Sequence, residues 1–160
     1  MVEERQSQQD YFRTILRTVV GQAFDAAGYH FKHSPMQWLG GKYRFEKQLA
    51  SDLHGFIDFQ ALIYADNMWS SGMASRFMVQ LTRSDDPSGK PSDHPEYVTR
   101  SLSQLVVADF GVNILPDYDH WWTYRDTESL GNGLAEAGHL IVGYGIPWLS
   151  GDLTLPNRDT

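Results

Sequence analysis

Cysteine is absent from this chain of 160 residues, and its absence removes several kinds of chemistry. Without a thiol the protein can form no disulfide, no thiolate metal site and no cysteine nucleophile. A chain without disulfides suits a reducing compartment, so we expect the cytoplasm as its location. Carboxylates, imidazoles and aromatic side chains remain as the groups that could carry a function.

Positive charge is also scarce. Lysine and arginine together number 13 against 20 aspartates and glutamates, which gives a net charge of −7. Since nucleic-acid binders neutralise phosphates with a dense basic patch, we expect no nucleic-acid partner. No apolar run approaches the roughly 20 residues that cross a bilayer, so we expect no membrane partner. The polar amino terminus lacks the pattern of a signal peptide.

Three motifs of common enzymes are missing. The chain has no Gly-x-x-x-x-Gly-Lys-Ser/Thr phosphate loop, no Gly-x-Gly-x-x-Gly pattern and no Gly-x-Ser-x-Gly elbow. These motifs bind nucleotide phosphates or present a nucleophilic serine. We therefore expect no cofactor and no serine-based catalysis.

Alternation of apolar and polar residues is the clearest pattern that the chain contains. It runs through residues 42–49, 56–64 and 75–82. Because successive side chains of a strand point to opposite faces, these stretches predict three strands with one apolar and one charged face. The short polar connection at residues 51–55 predicts that the first two strands pair antiparallel.

Helical spacing of apolar residues predicts a helix before the strands and another after them. The first covers residues 11–27, with Asp10 as its N-cap and Gly28 just beyond its end. The second begins at Asp126 or Thr127 and carries its apolar stripe from there toward the glycines near residue 143.

Two more strands complete the predicted architecture, at residues 102–107 and 121–124. The order of elements predicts an α+β fold, in which an antiparallel sheet of about five strands has the N- and C-terminal helices packed on one face. We expect a single domain over residues 1–160, ordered over about 11–149, with polar tails at both ends.

Several core and turn motifs lie along the chain, at residues 28–29, 43–45, 57–60, 121–122 and 145–148. Together they resemble a bacterial domain-of-unknown-function family, of the type numbered 4304. The resemblance spans most of the chain and implies the same helix-and-sheet fold. It implies no activity and no catalytic residues.

The charged face of the predicted sheet is the first candidate site. If the three strands are neighbours, their polar side chains lie about 5 Å apart across strands. A Glu46 and Asp58 pair could then perform acid–base chemistry. Alternatively, Arg44–Asp58 and Glu46–Arg76 ion pairs only keep an exposed face soluble. The candidate residues are Arg44, Glu46, Asp58, Gln60, Arg76 and Gln80.

Tryptophan supplies the second candidate. Trp121 and Trp122 are adjacent in a predicted strand, so only one of them can face the core. We assign Trp122 to the binding surface, together with Trp69 at a loop tip, because tryptophan is enriched in binding hot spots. Packing of either tryptophan of the pair under a loop is the alternative. A homodimer is one assembly that would bury the Trp69 tip.

Asp117, Asp119 and His120 form a weaker candidate for a metal site. They offer two carboxylates and an imidazole within four residues. A divalent metal needs three or more ligands that converge, and this segment alone provides no complete motif. The simpler interpretation is a solvated turn in which an aspartate caps a backbone N–H group.

These observations favour a non-catalytic module that binds an unknown protein or small ligand through the charged sheet face. The alternative hypothesis is a small metal-assisted or acid–base enzyme of the hydrolase kind. It would use residues 117–120 or the Glu46 and Asp58 pair. The two hypotheses differ in geometry, because an enzyme site is concave and its polar groups converge on one point.

Overall fold

The computed structural model describes residues 2–63 and 74–155, and of residues 2–7 only the helical backbone. The first helix, α1, covers Val2–Ala26 and therefore begins before the predicted residue 11. Its predicted apolar stripe is confirmed at Phe12, Leu16 and Phe24, which are fully buried, but Val19 and Ala23 of that stripe are exposed. Gly28 follows the helix with a φ of 89°, a conformation that glycine adopts without strain.

A six-stranded antiparallel sheet follows α1. Its strands are β1 (His30–Phe31), β2 (Lys42–Ala50), β3 (Leu53–Leu62), β4 (Ser75–Ser84), β5 (Val98–Ser101) and β6 (Trp122–Tyr124). They lie in the order β1-β2-β3-β4, and the far edge of β4 is shared by β5 and β6. A short helix, α2 (Pro35–Leu39), lies between β1 and β2.

The predicted antiparallel hairpins are confirmed residue by residue. Tyr43 lies opposite Phe59, and Phe59 lies opposite Val79, so the apolar positions of β2, β3 and β4 share one face. Gly41, with a φ of 78°, makes the turn that leads into β2. A Cβ atom there would lie 2.3 Å from the carbonyl oxygen of Ala61, so only glycine fits.

One predicted strand is wrong. Residues 102–107 do not extend the sheet, because β5 ends at Ser101 and a π-helical segment covers Gln104–Asp109. Leu102, Leu105 and Val106 are fully buried, so the apolar run packs into the core as a helical turn. Periodicity alone does not separate a short buried helix from a short buried strand.

Both long helices pack on the apolar sheet face, which confirms the α+β prediction. The second of them, α3 (Thr127–Leu140), begins at Asp126, whose carboxylate accepts a hydrogen bond from the Ser129 backbone in a capping box. Where α3 crosses α1, a Cβ atom on Gly138 would lie 3.0 Å from Val20, so glycine permits the close approach.

The chain beyond α3 stays helical longer than predicted. A π-helical segment, Ile141–Gly145, leads directly into α4 (Ile146–Ser150). Pro147 does not stop the chain there, because it lies in the first turn of α4, where a missing N–H costs nothing. Among the described residues, none of the helices combines the length and apolarity that a bilayer crossing would require.

Candidate functional site

The sheet has a second face, opposite the one that the helices cover. Strand register places Arg44, Asp58 and Gln80 in one cross-strand row on this face. Phe56 and Thr82 lie in the next row, and Gln60 and Met78 in the row on the other side. The second face therefore carries the predicted charged residues, but its two halves have different surroundings.

Arg44 and Asp58 form a buried ion pair in one half. The Arg44 Nε atom donates to Asp58 Oδ1 at 2.7 Å, and Nη2 donates to Oδ2 at 3.0 Å. Each residue is only 6% exposed. The predicted pairing is thus present, but the prediction that these two residues lie on an open binding surface is wrong.

The cover is the connection between β4 and β5, residues 85–97, which we call the strap loop. The third donor of the guanidinium, Arg44 Nη1, bonds the Ser88 carbonyl oxygen at 2.7 Å. Gly89 lies directly above, with a φ of 80°, where an added Cβ atom would be 3.2 Å from Arg44 Nη1 and from the Phe56 ring. The strap loop thus closes onto the sheet through Arg44.

Phe56 completes this covered half. It is fully buried although it lies outside the main core, and the Arg44 guanidinium lies 4.4 Å from the centre of its ring. The strap loop, the ion pair and Phe56 therefore form a small second core on the outer face of the sheet. The covered half consists of Arg44, Phe56, Asp58, Thr82 and Ser84, which are all buried.

Short polar contacts stiffen the strap loop itself. Asp86 Oδ1 accepts hydrogen bonds from the Ser88 backbone at 2.7 Å and from the Ser88 hydroxyl at 2.6 Å. These bonds hold the pKa of the Asp86 carboxyl below its usual value. Ser84 Oγ donates to the Lys90 carbonyl at 3.2 Å, which ties the loop to the end of β4.

The other half of the second face is open. Gln80 is exposed, and the large side chains near it are only partly buried. The Arg76 guanidinium lies 4.8 Å from the Trp121 ring centre, and its buried Nε atom has no hydrogen-bond partner among the described residues. The open half consists of Lys42, Gln60, Leu62, Arg76, Met78, Gln80 and Trp121.

The two tryptophans lie on opposite faces of the sheet, as strand alternation requires, but each lies on the face that was predicted for the other. Trp122 is 5% exposed, stacks on Phe77 with ring centres 5.4 Å apart, and donates from Nε1 to Glu136 at 2.9 Å. Its assignment to the binding surface is wrong. Trp121 is the one on the second face. Trp69 lies outside the described residues.

The remaining sheet candidates have local partners. Glu46 does not pair with Arg76, since Glu46 is aligned with Phe56 and its nearest cation is Lys32, at 4.0 Å. Gln60 donates to the Gly40 carbonyl at 3.0 Å. Gln80 donates to Thr99 at 2.8 Å. With Asp58 held by Arg44 and Glu46 by Lys32, the two carboxylates do not form the predicted acid–base pair.

The predicted metal candidates do not converge. Asp117 accepts from the Asp119 backbone N–H at 3.4 Å, which is the turn geometry of the simpler interpretation. His120 packs edge-on against Trp122, and burial lowers its pKa although Glu136 and Asp117 oppose the shift. In the ranges that the structure describes, no three histidine or acidic side chains could hold one ion.

A groove that was not predicted runs beside α1. It has a volume of about 700 Å³ and lies between α1 and the edge strand β1. Arg13 and Arg17 line it from the helix, and Phe31 and Phe45 line it from the sheet. Its signal in the sequence is a pair of arginines, Arg13 and Arg17, which lie one helical turn apart.

Comparison with known proteins does not assign the chain to a family. No family model, no curated protein and no solved structure matches the chain. The resemblance to a domain-of-unknown-function family stays a prediction, and the function has to be argued from the surfaces described above.

Proposed function

We propose that the protein is a non-catalytic module that binds another protein through the open half of its second sheet face. One observation carries the proposal: Arg76, Met78 and Trp121 are only partly buried, whereas the adjacent half of the same face is buried. A purely structural outer face would need no such division, since polar residues alone keep a sheet face in water.

The composition of the open half supports a protein partner. Tryptophan, arginine and methionine are enriched at the centres of protein interfaces. Arg76 already rests on the Trp121 ring, at 4.8 Å, so a partner would find the guanidinium positioned. Little side-chain entropy would be lost on association, which favours binding.

Charge indicates which partner would fit. Lys42 and Arg76 are the charged residues of the open half, and none of its described residues is acidic. A partner with carboxylates around an apolar centre would complement this surface. The charges would steer its approach and fix its orientation more than they would strengthen the complex. The chain's net charge of −7 makes this local positive patch a feature that a partner can distinguish.

The enzyme hypothesis lacks comparable support. Its two candidate clusters separate in the structure: Glu46 and Asp58 have different cationic partners, and Asp117 caps a turn. We keep the cytoplasm as the expected compartment, because a chain without cysteine suits reducing surroundings. A second copy of this chain is one partner to be tested.

Capture from cells that express the protein, followed by mass spectrometry, tests the proposal. The bait is the full chain, the disrupting variant is Arg76→Glu, and the control is Lys90→Glu, which reverses an exposed charge on the strap loop. We expect the unmodified chain and Lys90→Glu to capture a partner and Arg76→Glu to capture none. The melting midpoints of the three proteins should be equal. Equal capture by both variants would contradict the proposal. Size-exclusion chromatography identifies the homodimer outcome.

A further inference from the structure

The groove beside α1 has the size and lining of a small-molecule site. Its volume of about 700 Å³ lies within the range of ligand pockets, roughly 300–1,000 Å³. Polar side chains of α1, among them Arg13 and Arg17, form most of the lining. Phe31, which is partly buried, contributes apolar surface from the sheet, so the groove suits a charged ligand with a small apolar body.

Short side chains on α1 keep the groove open. The helix buries Phe12, Leu16 and Val20 on one side, while the side toward the groove carries Thr14, Thr18 and Gly21. Gly21 is not needed for packing, because a Cβ atom there would meet only the Arg17 side chain, at 4.0 Å. Glycine inside a helix costs about 1 kcal/mol relative to alanine, so the fold alone does not account for it.

The two arginines are held on aromatic faces. The Arg13 guanidinium carbon lies 4.1 Å from the centre of Trp38, and that of Arg17 lies 4.8 Å from the centre of Phe31. The two rings are themselves stacked, at 5.8 Å and 19°. A guanidinium that rests its flat face on a ring keeps its N–H donors at the edge, where they can bind an anion.

The two arginines differ in their charge partners. Arg13 has Asp10 at 3.2 Å. Arg17 has no acidic side chain within ion-pair distance in the part of the chain that the structure describes. Asp25 also lines the groove, paired with His30 at 2.9 Å. One unpaired guanidinium with an acid farther along the groove suits a single negative charge better than a phosphate.

From this arrangement we propose that the α1–β1 groove binds an organic carboxylate, with the carboxylate on Arg17 and its apolar body beside Phe31. The planar fork of arginine matches the two oxygens of a carboxylate. The chemistry is shared by a free organic acid and by the C-terminus of a peptide that ends in an apolar residue. The site is separate from the open half of the sheet and does not depend on it.

Isothermal titration of the full chain with 4-phenylbutyrate tests the proposal, with 4-phenylbutanol as its uncharged counterpart. We expect the acid to bind about tenfold or more tightly than the alcohol, as charge-assisted hydrogen bonds would require. Arg17→Gln should remove that difference. Gly21→Leu, which fills the groove without a backbone clash, should abolish binding. Lys90→Gln, at an exposed position of the strap loop, is the control and should bind as the unmodified chain does.

Two further arms identify the source of the ligand. A tetrapeptide that ends in phenylalanine, with a free or an amidated C-terminus, separates a peptide ligand from a free acid, and binding of either carboxylate supports the proposal. Equal binding of acid and alcohol would overturn it. So would the absence of binding by every carboxylate probe, or binding that neither Arg17→Gln nor Gly21→Leu reduces. Thermal melting of each variant confirms that the chain is folded.

Discussion

The covered and the open halves of the second sheet face come from the same strands and the same alternating pattern. Arg44 and Arg76 both lie on this face. Each of the three guanidinium nitrogens of Arg44 donates a hydrogen bond, whereas the buried Nε atom of Arg76 has no partner among the described residues. The difference is made by the strap loop, not by the strands. A polar sheet face therefore becomes core or surface according to which loop folds over it.

Removal of the Arg44 side chain should have the largest effect on this comparison. Arg44→Ala leaves Asp58 buried without its cation and the Ser88 carbonyl without its donor. Such a loss costs about 3 kcal/mol, whereas replacing both charges with apolar residues is close to neutral. Urea denaturation of Arg44→Ala and of the double variant Arg44→Met, Asp58→Leu measures this. A destabilisation below about 0.5 kcal/mol for Arg44→Ala would mean that the pair is not sealed.

Two glycines with positive φ form a matched pair for testing the strap loop. Gly89 has a φ of 80° and lies against Arg44 and Phe56, whereas Gly111 has a φ of 71° and nothing within 4 Å of an added Cβ atom. Alanine at either site introduces backbone strain of about 1 kcal/mol. We expect Gly89→Ala to cost about 1 kcal/mol more than Gly111→Ala, because it must also displace its neighbours. Equal unfolding free energies would contradict tight docking of the loop.

His120, which packs against the buried Trp122, gives a smaller effect. Burial holds the pKa of His120 below the usual 6.5, so protonation of this residue favours the unfolded chain. The stability that neutral His120 contributes is present above about pH 6.5. It should fall as the pH drops through the pKa of the folded state. The melting midpoint of the unmodified chain should decrease more between pH 7 and pH 5 than that of His120→Gln. Parallel pH curves for the two proteins would show that His120 does not contribute.

Shortening the side chains of the open half should have the smallest effect on stability. Arg76→Ala and Met78→Ala remove partly exposed groups, so we expect changes within about 0.5 kcal/mol. These variants should nevertheless lose the partner that the unmodified chain retains. A destabilisation of about 2 kcal/mol or more would instead make the open half part of the structural framework.

The sequence predicted the parts of the fold that depend on local periodicity. Alternation gave β2, β3 and β4 with their faces, and the helix caps gave the start of α3 at Asp126. Proline, glycine and aspartate identify residues 85–97 as a loop, but the sequence does not indicate which surface that loop covers. It misplaced the fourth strand, since Val98–Ser101 has a weak strand pattern and gains its stability from pairing with β4.

The candidate site was predictable in outline only. The residue types and the face were deduced from alternation. Burial of Arg44 and Asp58, however, depends on the strap loop, whose Ser88 lies more than 40 positions from Arg44 in the sequence. Choosing between Trp121 and Trp122 required the register of β6 against β4, which places Trp122 opposite Phe77. Long-range contacts of this kind leave no signature in a single sequence.

Thiol labelling tests the division of the second face most directly. Because the chain has no cysteine, single substitutions at Gln80 and Thr82 place one thiol on each side of the boundary, two residues apart on the same face of β4. Gln80 is exposed and Thr82 is 6% exposed. We predict that Gln80→Cys reacts at the rate of a free thiol and Thr82→Cys about tenfold more slowly, since exposing the buried position costs more than 1 kcal/mol. Equal labelling rates in folded protein would contradict the account.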